Sequence, residues 1–314
     1  MASLIDFHTH FFSRSFFLAL AEASAFSDDP EAAVLRVANS AGLELPAEDD
    51  LEHLQKWTEQ MDRHGVSHMV SFASVPQEIA VLAHVAEASE GRIVPFAITD
   101  PTRSDCAEKV DDLLTNKGFR GVVLFPAMHG YSLDGPEAAE LFHTLDKHRA
   151  TAVVHCGMLK VPLRDRFGLA RNYDLTKANP LHLVSVADEH DAVRFVIPHF
   201  GGGFFRETLI AGSQCENIYV DTSSSNDWRK TQPHPLEMAD IFERALGVFG
   251  TGRILFGTDS CVFPRGWRHD IFLTQREAMG ACGLNGEEKA QVLGENAAHV
   301  LRIRSQSEAV RSPV

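Results

Sequence analysis

The sequence predicts a (β/α)8 TIM barrel on three observations. Short apolar runs rich in Val, Ile and Phe alternate with stretches of helical period along the chain, and the alternation repeats eight times without interruption by a linker. In addition, histidine and aspartate side chains gather at the C-terminal ends of four of those runs, which in such a barrel all open on one rim.

The first run, residues 4–8, opens the stretch LIDFHTHFF at residues 4–12. Two imidazoles one residue apart on a strand face the same side, where each needs a hydrogen bond or a ligand. An irregular segment follows at about 13–50, with two short helices broken at Asp28-Asp29-Pro30 and at Pro46, and reads as an insertion over one end of the fold. The other strand candidates are 66–72, 93–98, 121–125, 152–155, 194–197, 218–221 and 254–257. Between them lie helical patterns at 51–64, 77–90, 106–116, 136–148, 177–190, 204–213 and 235–249, and a last region at 269–301 broken around Gly283 to Gly286. Strands this short and this apolar are parallel and covered on both faces. An open doubly wound sheet is the competing fold, but no glycine-rich dinucleotide fingerprint follows the first strand. Residues 1–314 therefore form a single domain, with the insertion at about 13–50.

Composition narrows the function classes. The chain is 44% hydrophobic and 23% charged, which is globular, and its net charge of -14 argues against nucleic acid or an anionic membrane as partner. Five scattered cysteines with no C-x-x-C pair indicate free thiols in a reducing compartment. The stretch RSFFLALAEASA mimics a signal peptide. Asp6 precedes it, however, Glu22 interrupts it, and cleavage there would discard His8 and His10. The expectation is a cytoplasmic protein.

Strand ends carry the chemistry. The first strand ends in His8 and His10, the fifth (TAVVHCG) in His155, the sixth (RFVIPHFGGG) in His199, and the eighth (RILFGTDS) in Asp259. Imidazole plus carboxylate is the ligand set of zinc and similar divalent ions, with an open position for a water acidified from a pKa of about 15.7 towards about 7. There are 16 histidines, and those at positions such as 53, 64, 84 and 143 fall in helical patterns, where they are solvated or satisfied locally. Convergence on one rim is what sets the other four apart. Gly201-Gly202-Gly203 turns the chain into the next helix or lets backbone approach a substrate. Cys156, next to His155, faces the opposite side of its strand.

IDFHTH after the first strand, His155, PHFGGG with His199 and LFGTDS with Asp259 resemble the amidohydrolase superfamily, and more narrowly its amidohydrolase-related branch. GFRGVVLFPAMHGYSLD and VLGENAAHVLRI are similar to that branch as well. One departure is that the fourth strand, GVVLFP, offers no lysine for the carbamate that bridges two metals in many members. The resemblance then implies one divalent ion, zinc with manganese as the alternative, held by His8, His10, His155 and Asp259. It implies His199 as general acid–base beside the metal, with Asp259 also able to accept a proton. Arg206 and Arg265 are candidates to pair with a substrate carboxylate, each equally readable as a surface arginine, and Phe11 and Trp228 (with Phe12 and Trp267) as walls of an apolar pocket. The reaction put first is hydrolysis of an ester, lactone or amide of a small organic acid by activated water. The alternative is non-oxidative decarboxylation of an aromatic or unsaturated carboxylic acid. The expected partner is a small-molecule substrate, with a carboxylate among the candidates and a homodimer as the assembly the resemblance allows.

Overall fold

The computed structural model describes residues 3–24, 28–223 and 227–303. Eight strands run in order: β1 (Leu4–His10), β2 (Val66–Phe72), β3 (Ile93–Thr99), β4 (Gly121–Leu124), β5 (Thr151–Val154), β6 (Arg194–Ile197), β7 (Ile218–Asp221) and β8 (Ile254–Leu255). Each pairs in parallel with the next. β8 is only two residues long, so the chain just beyond it completes the ring. Phe7 N–H donates to Phe256 O, Asp259 N–H to His8 O and His10 N–H to Ser260 O, all at 2.8 Å. The barrel predicted from the sequence is therefore present.

Inside it, Phe7, Phe72, Phe96, Val123, Val153, Val196 and Leu255 pack into one apolar cluster. These are β-branched and aromatic side chains on alternate strand positions, as a filled barrel requires. Residues of the opposite parity meet the surrounding helices.

Those helices are α1 (Arg14–Glu22), α2 (Pro30–Ala41), α3 (Asp50–His64), α4 (Glu78–Ala88), α5 (Cys106–Asn116), α6 (Pro126–His129), α7 (Pro136–His148), α8 (Pro162–Arg166), α9 (Leu183–Glu189), α10 (Phe205–Gln214), α11 (Met238–Phe249), α12 (His269–Ala281), α13 (Gly286–Ala290) and α14 (Asn296–Leu301). Sequence cues explain their ends. Asp49 caps α3 by accepting from Leu51 N–H at 2.9 Å, and Asn285 caps α13 through Glu287 and Glu288 N–H. The helix predicted at 177–190 is shorter than expected. Pro180 has no N–H to donate, so the chain makes two 3-10 turns before α9 begins.

The insertion supplies α1 and α2. They pack Phe16, Phe17, Leu20, Val34 and Val37 against Phe12, Val75 and Phe167 at the C-terminal rim of the barrel. Among the described residues no helix is long and apolar enough to cross a membrane.

Candidate active site

A bulge aims the first two histidines. Along β1, Asp6 pairs with Met69 but Thr9 pairs with Ser71, so three steps on one strand face two on the other. One extra residue reverses the alternation. Below the bulge Phe7 points into the barrel core and Asp6 points outward. Above it His8 and His10 line a cavity of about 870 Å3 at the C-terminal rim. An unbroken β1 would have put His8 on the face of Asp6.

Asp6 is fully buried and accepts from Trp267 Nε1 at 2.7 Å and from Thr258 Oγ1 at 2.5 Å. Burial raises its pKa to about 6 despite those donors.

Asp259 enters from the β8 side with φ at 60°, a left-handed conformation uncommon for a residue with a Cβ. Its Oδ1 lies 3.4 Å from His10 Nε2 and 3.7 Å from His8 Nε2. Donor atoms of His8, His10 and Asp259 all fall within 4.8 Å of one another. Ligands about 2.0–2.2 Å from one ion stand roughly 3–3.5 Å apart in a tetrahedron, so the three fit a shared divalent cation after small shifts. Burial alone would raise the Asp259 pKa. The hydrogen bond with His10 and the neighbouring imidazoles His8 and His199 reverse this and hold the carboxyl well below its usual range.

The tautomer of His8 follows from its partner. Asp221, at the end of β7 and fully buried, accepts from His8 Nδ1 at 2.7 Å. Although burial lowers it, the Asp221 charge and hydrogen bond raise the His8 pKa. In the neutral ring that a metal ligand must be, Nδ1 carries the hydrogen and the Nε2 lone pair faces Asp259. Asp221 also accepts from the backbone N–H of His199 at 3.1 Å and of Ser223 at 2.9 Å, and from the Ser223 hydroxyl. Although burial opposes ionisation, the His8 charge and hydrogen bond keep Asp221 below its ordinary pKa. His10 is oriented in the same way by Ser74 Oγ at 2.8 Å, behind which buried Glu78 accepts from Ser74 N–H at 2.8 Å.

His199 also sits at positive φ, 57°, followed by Phe200 at 52°. The glycines after it are conformational. A Cβ on Gly201 would meet Thr208 Oγ1 at 1.9 Å, and one on Gly157 would meet Gly202 O at 2.3 Å. His199 Nδ1 lies 3.1 Å from the Ser223 carbonyl, which can only accept, so Nδ1 carries the hydrogen and Nε2 is the acceptor. Burial first, then the nearby His8 charge, lowers its pKa and keeps the ring neutral.

His155 lines the same cavity, stacked on Phe125 at 5.2 Å and 5.3 Å from the His199 ring. Burial, with His199 and His8, pushes its pKa down to about 3. It is thus the neutral imidazole a metal needs, but its nitrogens are not among the donor atoms already gathered around Asp259.

The substrate-contact candidates divide. Arg265 lines the cavity and donates to Cys261 Sγ at 3.1 Å. Arg206 stands exposed on α10 and does not line the cavity. Phe11 is buried among Leu54, Trp57 and Met61, edge-on to His53, while its neighbour Phe12 takes the cavity face. Trp228 packs on Phe205 in the core below the rim. Trp267 serves Asp6, and Cys156 is buried in the core behind β5.

Sequence reasoning passed over Asp221, although β7 ends in IYVD and the strand-end rule applies to it equally. Ser74, Glu78 and Ser223 carried no comparable signal.

A family model described as amidohydrolase matches residues 5–303. The chain belongs to the amidohydrolase family. No curated protein matches the sequence of this amidohydrolase. Among solved structures it is similar to a 5-carboxyvanillate decarboxylase from Sphingomonas paucimobilis (13% identity, 97% of this chain and 100% of that one, TM-score 0.64). A dihydroxybenzoic acid decarboxylase from Polaromonas sp. JS666 with bound manganese and 2-nitroresorcinol matches at 16% identity, covering 98% and 99% of the two chains, TM-score 0.64. A probable 2-pyrone-4,6-dicarboxylic acid hydrolase from Acinetobacter baumannii, with citric acid bound, matches at 14% identity, covering 96% and 100%, TM-score 0.58. At these identities the likeness is one of fold.

Proposed function

We propose that this amidohydrolase is a metal-dependent non-oxidative decarboxylase of a small aromatic or unsaturated carboxylic acid. The observation that carries the proposal is the cavity itself. Flat apolar rings (Phe12, Phe72, Phe125), with Val153, surround the His8–His10–Asp259 cluster, while the wall carries cations such as Lys160, Arg164 and Arg265 in a chain of net charge -14. Such a site takes a flat anion. The decarboxylases among the structures of like fold support the same choice.

His8, His10 and Asp259, joined by His155, would hold one divalent ion, zinc or manganese. Imidazole nitrogens with a single carboxylate suit either. When bound, the ion supplies positive charge that fixes an anionic oxygen of the substrate. The aromatic walls exclude water from the carboxylate, which removes the solvation that disfavours its departure as CO2. His199 takes a proton at Nε2 from an acidic group of the incoming substrate. As the C–C bond to the carboxylate breaks, its electron pair stays on the ring carbon, and His199 returns the proton there.

Hydrolysis of an ester, lactone or amide, put first on the sequence, is the second reading. In its favour is the position of the Asp259 carboxylate beside His8 and His10, within reach of a water bound there. It is placed second because apolar rings pack directly around the His8–His10–Asp259 cluster. The test is a parallel screen of hydroxybenzoic and unsaturated dicarboxylic acids for CO2 release, and of lactones and esters for acid release, on protein loaded with zinc or manganese. CO2 release with no lactone or ester turnover is expected; the reverse pattern overturns the proposal.

A further inference from the structure

Six cationic side chains line the cavity: Lys160, Arg164, Arg166, Lys230, Arg265 and Arg268. Most are already engaged. Arg268 is held by Asp270 at 2.6 Å, Lys230 by Asp227 at 2.6 Å, Arg166 donates to Ser40 Oγ at 3.4 Å, and Arg265 donates to Cys261. Lys160 is exposed to solvent at the edge. Arg164 differs from all of these. It sits in the middle of α8, half-buried, with no ion pair or hydrogen bond from its side chain among the described residues, and its Nε is buried without any partner. The adjacent acid, Asp165, is taken by Arg171.

A buried guanidinium N–H without an acceptor is costly, and native proteins rarely leave one unless something else fills the gap. Arginine's two terminal Nη–H groups form a planar edge that matches the two oxygens of a carboxylate, which leaves the buried Nε as the anchored end of the side chain. Arg164 also stands apart from the histidine cluster. Its charge acts on His129 at the end of α6, whereas the charges acting on His155 come from His199, His8, Asp259 and Asp221.

We infer that Arg164 binds a carboxylate of the substrate other than the one that reacts. The substrate class is then a dicarboxylic acid, with one acid group against His8, His10 and Asp259 and the second on the α8 wall. The inference rests on the function proposed above and adds both a specificity residue and a second anionic group.

The test uses the full chain loaded with manganese, with isophthalate and its monomethyl ester as calorimetric probes. Wild-type protein is expected to bind the diacid at least tenfold more tightly than the monoester. Arg164→Gln should bring that ratio close to one by weakening only the diacid, and Arg164→Lys should restore part of it. Arg244→Gln, an exposed arginine on α11, should leave the ratio unchanged. An Arg164→Gln protein that keeps the wild-type ratio overturns the inference, as does a wild-type protein with no preference for the diacid or no binding of either probe. Manganese content is measured separately. Metal bound without diacid preference removes Arg164's role and leaves the enzyme reading standing. Arg164-dependent diacid preference in protein that takes up no metal does the opposite.

Discussion

Asp221 contributes no donor to the cluster facing Asp259, yet it decides which nitrogen of His8 faces it, and so sets the ligand's usable lone pair. Asp221→Asn keeps the shape and loses the charge. We expect metal affinity to fall about 10- to 100-fold, read by competition with a chromophoric chelator, with the far-ultraviolet circular dichroism unchanged. His199→Asn should do the reverse, keeping the metal while turnover falls by about 10^2–10^4. Retained turnover in that variant would remove the proton-transfer role. At this scale the sequence was legible where chemistry follows position: a histidine or aspartate at a strand end is visible as such. The β1 bulge was not legible, since no glycine or proline marks it, and it alone makes His8 inward-facing. Phe11 and Phe12 show the same difficulty. Which of two adjacent phenylalanines meets the cavity depends on a backbone turn, Phe12 having φ of 35°, that hydrophobicity does not encode.

Among elements, β8 is the weak member. It has two paired residues, and the seam with β1 is carried by the three backbone hydrogen bonds around His8 and His10. Gly257 lets this seam close, because a Cβ there would lie 2.8 Å from His8 Cβ and 3.2 Å from Ser223 Cβ. Gly257→Ala is therefore expected to cost about 1–3 kcal/mol in a urea titration, and to lower metal stoichiometry in the folded fraction by displacing His8. Unchanged stability and full metal content would show that the strands can part without loss. Strands β2, β6 and β7 were legible at their observed bounds, with turn-forming residues marking one end of each: Gly65 before β2, Pro198 after β6 and Asn217 before β7. The short helices α6 and α8 escaped notice. Four or five residues are too few for a helical period to register, although α8 carries Arg164 and α6 ends beside it.

For the molecule as a whole, buried carboxyls give stability a pH dependence of definite sign. Glu78 has its pKa raised from 4.5 to about 7 by burial, against the pull of its serine donors, and Asp6 is raised from 3.8 to about 6. The folded state thus binds these protons more tightly than the unfolded chain. Their contribution is fully present below the unfolded values and is lost as pH rises through the folded ones. Metal-free wild-type protein should lose on the order of 1–3 kcal/mol between about pH 4.5 and pH 7.5 from Glu78. Glu78→Gln should flatten that part of the slope, and an unaltered slope would assign it elsewhere. Adding metal at about 100 times its Kd should contribute about 2.7 kcal/mol, raising Tm by roughly 3–5 °C, and chelation should reverse the rise.

The seam between β1 and β8 also fixes when the site comes into being. Thr258 and Asp6, whose hydrogen bond lies directly behind the cluster, are 252 positions apart in the chain. A growing polypeptide therefore carries its first two imidazoles for most of its synthesis with nothing to grip. Only the last strand–helix unit brings the aspartate that completes the set. An ion seated there works as a clasp on a finished ring, and its hold on the protein reports that the ring has shut.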